Sequence, residues 1–309
     1  MQAKTKKNII NNISCWVMGL VPLVGFVLFG VIPMIISLYL SFTELHGFDY
    51  RMAKFIGMGS YVTVFKDPLF HKAIVNTLYS LISVPLPIIL GLLVAGILNN
   101  KKVRGKKFFS TLFFCPYVCS SVAIATVFGW MFDIEFGVFN SLITALGGEK
   151  SKFFSDPHLF MPLMIFMMTW CGFGCNVMMF QAALTNLNQS VLEAAEIDGA
   201  GPVKKFFHVT MPAISPTTFF VLTTGIIGGL QTFTWFQVMS ARLTGTGYMY
   251  GPENRGLTLV FYLYKQAFEY PFSEGMGLAC ATSWIVALGV AAITALNFKL
   301  SKKWVYYDD

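Results

Sequence analysis

The sequence predicts an all-α membrane protein of six transmembrane helices with one long polar insert, and three observations carry this. The chain has 309 residues, of which 55% are hydrophobic and only 12% charged, with a mean hydropathy of +0.64; an ordinary soluble domain is about 25% charged. Six stretches (8–43, 73–100, 108–132, 157–192, 206–241 and 275–298) contain no Asp, Glu, Lys or Arg, and the shortest is 24 residues long. A bilayer-spanning helix needs roughly 20 predominantly apolar residues. Placing Lys101, Lys102, Arg104, Lys106 and Lys107 in hydrocarbon would cost on the order of 10 kcal/mol or more, so that segment is a loop between two spans.

The elements follow in order. A tail, 1–13, carries Lys4, Lys6 and Lys7, and the first span covers about 14–42. Its charge-free stretch of 36 residues far exceeds the roughly 7–15-residue core of a cleaved signal, so it reads as a retained span. The second span, about 73–98, contains Pro85 and Pro87, which predict a kink that neighbouring helices compensate. The third covers about 109–132, the fourth about 158–184 and the fifth about 216–240. Asp67-Pro68, Asp156-Pro157 and Ser215-Pro216 each place a capping side chain before a proline suited to the first helical turn. They are expected to open the second, fourth and fifth helices. The loop 242–274 holds an apolar patch, Leu257–Tyr264, read as a short helix lying at the outer surface. The sixth span, about 276–298, and a tail, 301–309, complete a single domain over 14–300. Gly91/Ala95, Gly225/Gly229 and Ala287/Ala291/Ala295 put small residues at the spacing by which membrane helices pack; lipid-facing small residues are the plainer alternative.

An even number of spans puts both termini on one side. The segments of that side (1–13, 99–109, 185–216 and 299–309) carry 13 of the 22 Lys and Arg but only five of the 15 acidic residues. Cations concentrate on the cytoplasmic face, so both termini and the insert at 188–212 are expected there. The net charge of +7 then suits anionic lipid and gives no case for nucleic acid.

The insert runs Ser190-Val-Leu-Glu193-Ala194-Ala195-Glu196-Ile197-Asp198-Gly199-Ala200-Gly201-Pro202 and closes at Val209-Thr-Met211-Pro212. It reads as two short helices with a turn in which Gly199 and Gly201 permit positive φ and Pro202 starts the second helix. Short helices are marginal alone, which implies a docking partner. Ser190 and Glu193 have capping-box spacing, so Glu193 is either an intrachain cap or a carboxylate presented to a basic partner residue.

Chemistry is sparse. Lys106 follows Gly105, but Lys107 and Asn100 break a phosphate-binding loop pattern, and His46, His71, His158 and His208 are isolated. Cys115/Cys119 and Cys171/Cys175 sit at i, i+4 within spans; a soft-metal pair is conceivable, but buried apolar packing is favoured. No enzyme constellation and no resident cofactor are expected. Uncharged polar and aromatic residues within spans are the candidates for lining a solute path: Tyr117, Ser121, Trp170, Asn176, Gln231, Thr232, Trp235 and Gln237. No Asp, Glu, Lys or Arg lies in any predicted span, which favours neutral cargo over a charged solute or a proton relay.

The order Glu-Ala-Ala, three residues, Gly, nine residues, aliphatic, one residue, aliphatic, Pro resembles the EAA loop of ABC importer permeases. Val209 and Met211 stand where Ile and Leu are usual. Phe55-Ile-Gly57-Met-Gly59-Ser-Tyr61, Arg104-Gly105-Lys-Lys-Phe108-Phe109, Phe136-Gly137-Val-Phe-Asn140 and Leu263-Tyr264-Lys-Gln-Ala267-Phe268 are similar to blocks of the maltose-type, carbohydrate-uptake permeases. One departure is Thr244-Gly-Thr-Gly-Tyr-Met-Tyr-Gly-Pro252, a variant of that family's proline turn in the last outer loop.

The resemblance implies a type I ABC importer permease. It implies a second homologous permease, two cytoplasmic ATPase subunits holding ATP and Mg, and an extracytoplasmic binding protein that presents a carbohydrate. The ATPase-coupling positions would be Glu193, Ala194, Ala195, Asp198, Gly199 and Pro212. A polyol or glycerol phosphoester is the alternative cargo, and a membrane scaffold without transport the more distant alternative.

Overall fold

The computed structural model describes residues 18–100, 103–243, 249–272 and 275–306. The tail 1–13, the last three residues of the C-terminal tail and 244–248 of the variant turn lie outside the described residues. The helices are α1 (Met18–Leu40), α2 (Gly59–Lys66), α3 (Pro68–Asn99), α4 (Lys106–Val118), α5 (Ser121–Met131), α6 (Val138–Ala145) and α7 (Pro157–Thr185). They continue with α8 (Gln189–Ile197), α9 (Pro202–Lys205), α10 (Ser215–Leu230), α11 (Thr234–Leu243), α12 (Leu259–Tyr264) and α13 (Met276–Ser301). Between α1 and α2 two short strands, β1 (Thr43–Glu44) and β2 (Lys54–Phe55), pair antiparallel with Thr43 opposite Phe55.

Among the described residues, five helical runs are long and apolar enough to cross a bilayer: α1, α3, α7, Ser215–Leu243 and α13. The third predicted span is different. It is α4 followed by α5, bent by 95° at Cys119–Ser120. Pro116 lies inside α4, but the helix runs on past it to Val118, and the backbone turns extended only at Cys119 and Ser120. The helices also outrun the predicted spans, so Lys72, Arg242 and Lys299 fall within helices that reach membrane length.

Capping follows local chemistry at two of the three predicted sites. Asp67 accepts from the Leu69 amide at 2.8 Å and Asp156 from the His158 amide at 2.7 Å. Ser215 does not cap. It is the first residue of α10, its hydroxyl donates to the Pro212 carbonyl at 2.6 Å, and it accepts from the Tyr306 amide at 2.9 Å. The expected break in the second span is a 3-10 turn, Leu81–Ser83, before Pro85 restarts the helix.

Contacts divide the chain into two compact units. In the first, residues 1–66 with 263–285, the strand pair is tied down by Ser60, whose hydroxyl donates to the Thr43 carbonyl at 3.1 Å. Ser41 and Tyr61 share a hydrogen bond of 2.8 Å, and Thr282 donates to Gln266 at 2.8 Å in a buried pair. Among the residues of α1, only Leu40 is buried.

The second unit, residues 67–262 with 286–309, is built on α3 against α7. Both faces are apolar, and lipid is as apolar as they are, so close packing rather than water exclusion holds them. Gly91 lies where a Cβ would come within 2.6 Å of Asn176 Cβ, and Gly174 where one would collide with the Phe113 carbonyl of α4. Val84, Ile88, Ala95, Phe180, Leu184, Ile214 and Val221 form the buried core between α3, α7 and α10. Asn297 of α13 donates to Thr223 of α10 at 2.7 Å. The patch predicted at Leu257–Tyr264 does form a helix, but it is buried rather than surface-lying. Leu257, Phe261 and Tyr262 are inside, Asn76 donates to the Asn254 and Leu257 carbonyls at 2.8 and 2.9 Å, and the Tyr262 hydroxyl reaches the second oxygen of Asp67 at 2.6 Å. Ala287, Ala291 and Ala295 remain exposed along α13.

Candidate functional site

A cavity of about 890 Å³ opens in the second unit. Two interruptions of helix create it. The bend between α4 and α5 brings Tyr117 and Ser121 to its wall, and the non-helical residues 231–233 between α10 and α11 bring Gln231, Thr232 and, one turn on, Trp235. Asn176 of α7 completes the polar set. Irregular backbone at membrane depth is tolerated where it lines a cavity, so both breaks stand where physics allows them. Chain-local bonds absorb part of the cost: the Thr258 hydroxyl donates to the Thr232 carbonyl at 2.8 Å, and the Gln237 amide to the Phe233 carbonyl at 2.9 Å.

Six of the eight residues singled out from the sequence therefore meet in one cavity. Trp170 and Gln237 do not line it. Trp170 is half exposed and packs on Phe173 with ring centroids 5.7 Å apart. The sequence reading missed Thr224, Phe220, Phe233 and the glycines 225, 228 and 229 of α10. A glycine run within a span was the available signal: Gly228 has open space where a Cβ would stand, while Gly225 and Gly229 let α10 close on Val84 and Leu81 of the second span. Cys119, Cys171 and Cys175 also face the cavity, and Cys115 and Cys119 are exposed rather than packed as expected. Among the described residues, no Asp, Glu, Lys or Arg lines the cavity. Thr232 is 6% exposed, yet its hydroxyl oxygen has no hydrogen-bond partner within the chain. A buried hydroxyl left unpaired is costly, so Thr232 carries an unmet hydrogen bond in the wall of the cavity.

The polar insert is the second candidate. Asn188, not Ser190, is the cap of α8: its side-chain oxygen accepts from the Ser190 amide at 3.0 Å and from the Ser190 hydroxyl at 2.8 Å. Asn caps at least as well as Ser and here engages the serine as well, so the capping box does not form. Glu193 is left exposed on the second turn, with Ala194 exposed and Ala195 half-buried. The helix ends in a doubly bonded turn, with the Gly199 amide on the Glu196 carbonyl and the Ala200 amide on the Ala195 carbonyl, both at 3.0 Å. This motif places its turn residue in the left-handed region, and Gly199 has φ +76°. Gly201 has φ −63° and caps α9, so only one of the two glycines supplies positive φ.

Glu196 and Lys205 form an ion pair between α8 and α9, and the lysine holds the Glu196 carboxyl below its ordinary pKa. Asp198 is exposed, and Pro212 sits at the start of the turn leading into α10. Val191, Ile197, Val203 and Phe207 all expose more than half of their surface, so this segment presents apolar groups that none of the described residues covers.

Residues 87–304 match the family described as binding-protein-dependent transport system inner membrane component. The chain is 35% identical over 278 residues to the lactose transport system permease protein LacF of Rhizobium radiobacter, with 89% of each chain covered. It is 32% identical to the arabinooligosaccharides transport system permease protein AraP of Bacillus subtilis, covering 90% of this chain and 85% of that one. It shares its fold with a chain of a bacterial alginate ABC transporter, solved in complex with an alginate pentasaccharide-bound periplasmic protein, at a TM-score of 0.78, 22% identity and 96% coverage of both chains.

Proposed function

Because the chain belongs to the family of binding-protein-dependent transport system inner membrane components, a family of multi-pass membrane subunits rather than enzymes, we propose that it is the permease of an ATP-driven importer for a neutral sugar or oligosaccharide. The observation that carries the cargo class is the cavity wall. It combines aromatic faces (Tyr117, Trp235) with amide and hydroxyl groups (Asn176, Gln231, Thr232) and holds no charge. Sugars are bound by such mixed walls, whereas a charged solute needs a counter-charge at this depth. The names of LacF and AraP support the same class.

In this reading α4 and α5 together form one of six spans of a single permease domain, and both termini and the 188–212 insert face the cytoplasm. Glu193, Ala194, Ala195, Asp198, Gly199 and Pro212 seat on a partner ATPase, which supplies ATP and Mg. A second permease completes the path, and a binding protein delivers the sugar from outside, as the alginate assembly with its periplasmic protein illustrates. ATP binding closes the ATPases, α8 and α9 move with them, and the cavity alternates its opening.

Uptake and ATP hydrolysis by the complete complex in proteoliposomes, challenged with a panel of neutral and acidic sugars and the binding protein, tests the reading. A neutral sugar is expected to stimulate both. Trp235→Ala should raise the KM for uptake about 3- to 10-fold, the value of one aromatic face, and Thr232→Val should raise it less. Stimulation by acidic solutes alone would overturn the cargo class.

A further inference from the structure

Arg242 ends α11 as the one cation of that helix, and it does not enter the cavity. Its guanidinium lies across Gly129 of α5, where a Cβ would meet Arg242 Nε at 2.5 Å and Cδ at 2.6 Å. Only a residue without a side chain lets the flat group settle there. Beyond Gly129, Arg242 Nη2 stands 3.9 Å from Asp133 Oδ2. The other oxygen of Asp133 is committed to the turn after α5, accepting from the Glu135 and Phe136 amides at 2.9 and 3.1 Å. The carboxylate is therefore fixed to the end of α5, and the arginine ties α11 to it.

These are the two helix segments that follow the two breaks. α5 brings Ser121 and Ile124 to the cavity, and α11 brings Thr234 and Trp235. Gly129 and Asp133 lie one to three turns beyond the first pair, and Arg242 two turns beyond the second. We propose that Arg242, seated over Gly129 and paired with Asp133, is a positioning residue that clasps α5 to α11 and so holds shut one wall of the solute path. The proposal rests on the permease reading above.

The geometry suits a contact that opens in every cycle. The two side chains are 32% and 36% exposed, and a pair so wetted biases an equilibrium without locking it. Removing it shifts the resting population toward the parted wall, which a complex reads as hydrolysis without cargo.

The test uses the complete complex in proteoliposomes, with ATP hydrolysis measured with and without binding protein and sugar. Arg242→Gln and Asp133→Asn are each expected to raise cargo-free hydrolysis about two- to five-fold, the range an exposed ion pair can supply, and to lower sugar moved per ATP. Gly129→Ala should reproduce this in weaker form by pushing the guanidinium aside. The double exchange Asp133→Arg with Arg242→Asp should return cargo-free hydrolysis toward the wild-type value, which a merely structural loss would not. A short thiol cross-linker joining Asp133→Cys to Arg242→Cys should stop uptake, and cleaving the linker should restore it.

Wild-type coupling in both single variants, or full uptake in the cross-linked complex, would overturn the proposal. If the cargo reading itself were wrong, wild type and variants alike would fail to respond to any sugar, whereas the cross-link would still change hydrolysis.

Discussion

Two regions of this chain solve opposite problems. Where α3 crosses α7, glycine and alanine let the backbones approach, and Phe180, Val177 and Ala95 are fully buried. The 188–212 insert is held by caps, one turn motif and one ion pair, and shows its apolar groups to the surroundings. The first region is complete within the chain. The second is folded locally, and its helices of nine and four residues gain too little from their own hydrogen bonds to be stable alone, which is why the proposed function gives it a partner. In the proposed permease the difference matches two roles: a crossing without slack transmits force, and a segment without a core receives it.

The comparison breaks most visibly at Gly174. Any larger residue there collides with the Phe113 carbonyl, which is backbone and cannot swing away. Gly174→Leu is expected to cost about 3 kcal/mol or more, and to abolish monodisperse protein in detergent while ATPase affinity cannot even be measured.

Gly199→Pro sharpens the contrast from the other side. Its φ of +76° is closed to proline, so the turn between α8 and α9 is lost at a local cost of about 1–3 kcal/mol. The permease should keep its thermal midpoint in detergent, yet lose sugar-stimulated hydrolysis with its ATPase partners. A midpoint lowered as far as that of Gly174→Leu would show that the insert is part of the core after all.

The smallest effect is expected at the Glu196–Lys205 pair. Lys205 lowers the Glu196 pKa, so the pair's contribution is present above the ordinary carboxylate pKa and is lost as pH falls through the lowered value. Spin labels at Val191 and His208 should report a wider α8–α9 separation on acidification below the usual carboxylate range. In Lys205→Met the same separation should be wide at neutral pH and insensitive to acid, and a pH response that survives this substitution would remove the pair from the account.

How much was legible depended on the range of the interaction. Asp67 and Asp156 were readable because a cap bonds an amide two residues away. Ser190 misled because a stronger cap stood two residues earlier, and Ser215 because its acceptor role belongs to Tyr306, 91 positions along the chain. The cavity candidates were found by chemistry, as polar groups in apolar runs; which of them meet could not be. Trp170 and Asn176 lie on the same helix, and only Asn176 faces the cavity.

The sequence by itself determined the membrane class, the order of the apolar runs and the left-handed turn at Gly199. Each follows from solvation or from a backbone preference paid within a few residues. Only the tertiary structure decided the 95° bend after α4, the burial of α12 beneath Asn76 and the seating of Arg242 on Gly129. In those places a helix gives up its own hydrogen bonds, or a cation its water, and the compensation comes from a distant part of the chain that no local pattern announces.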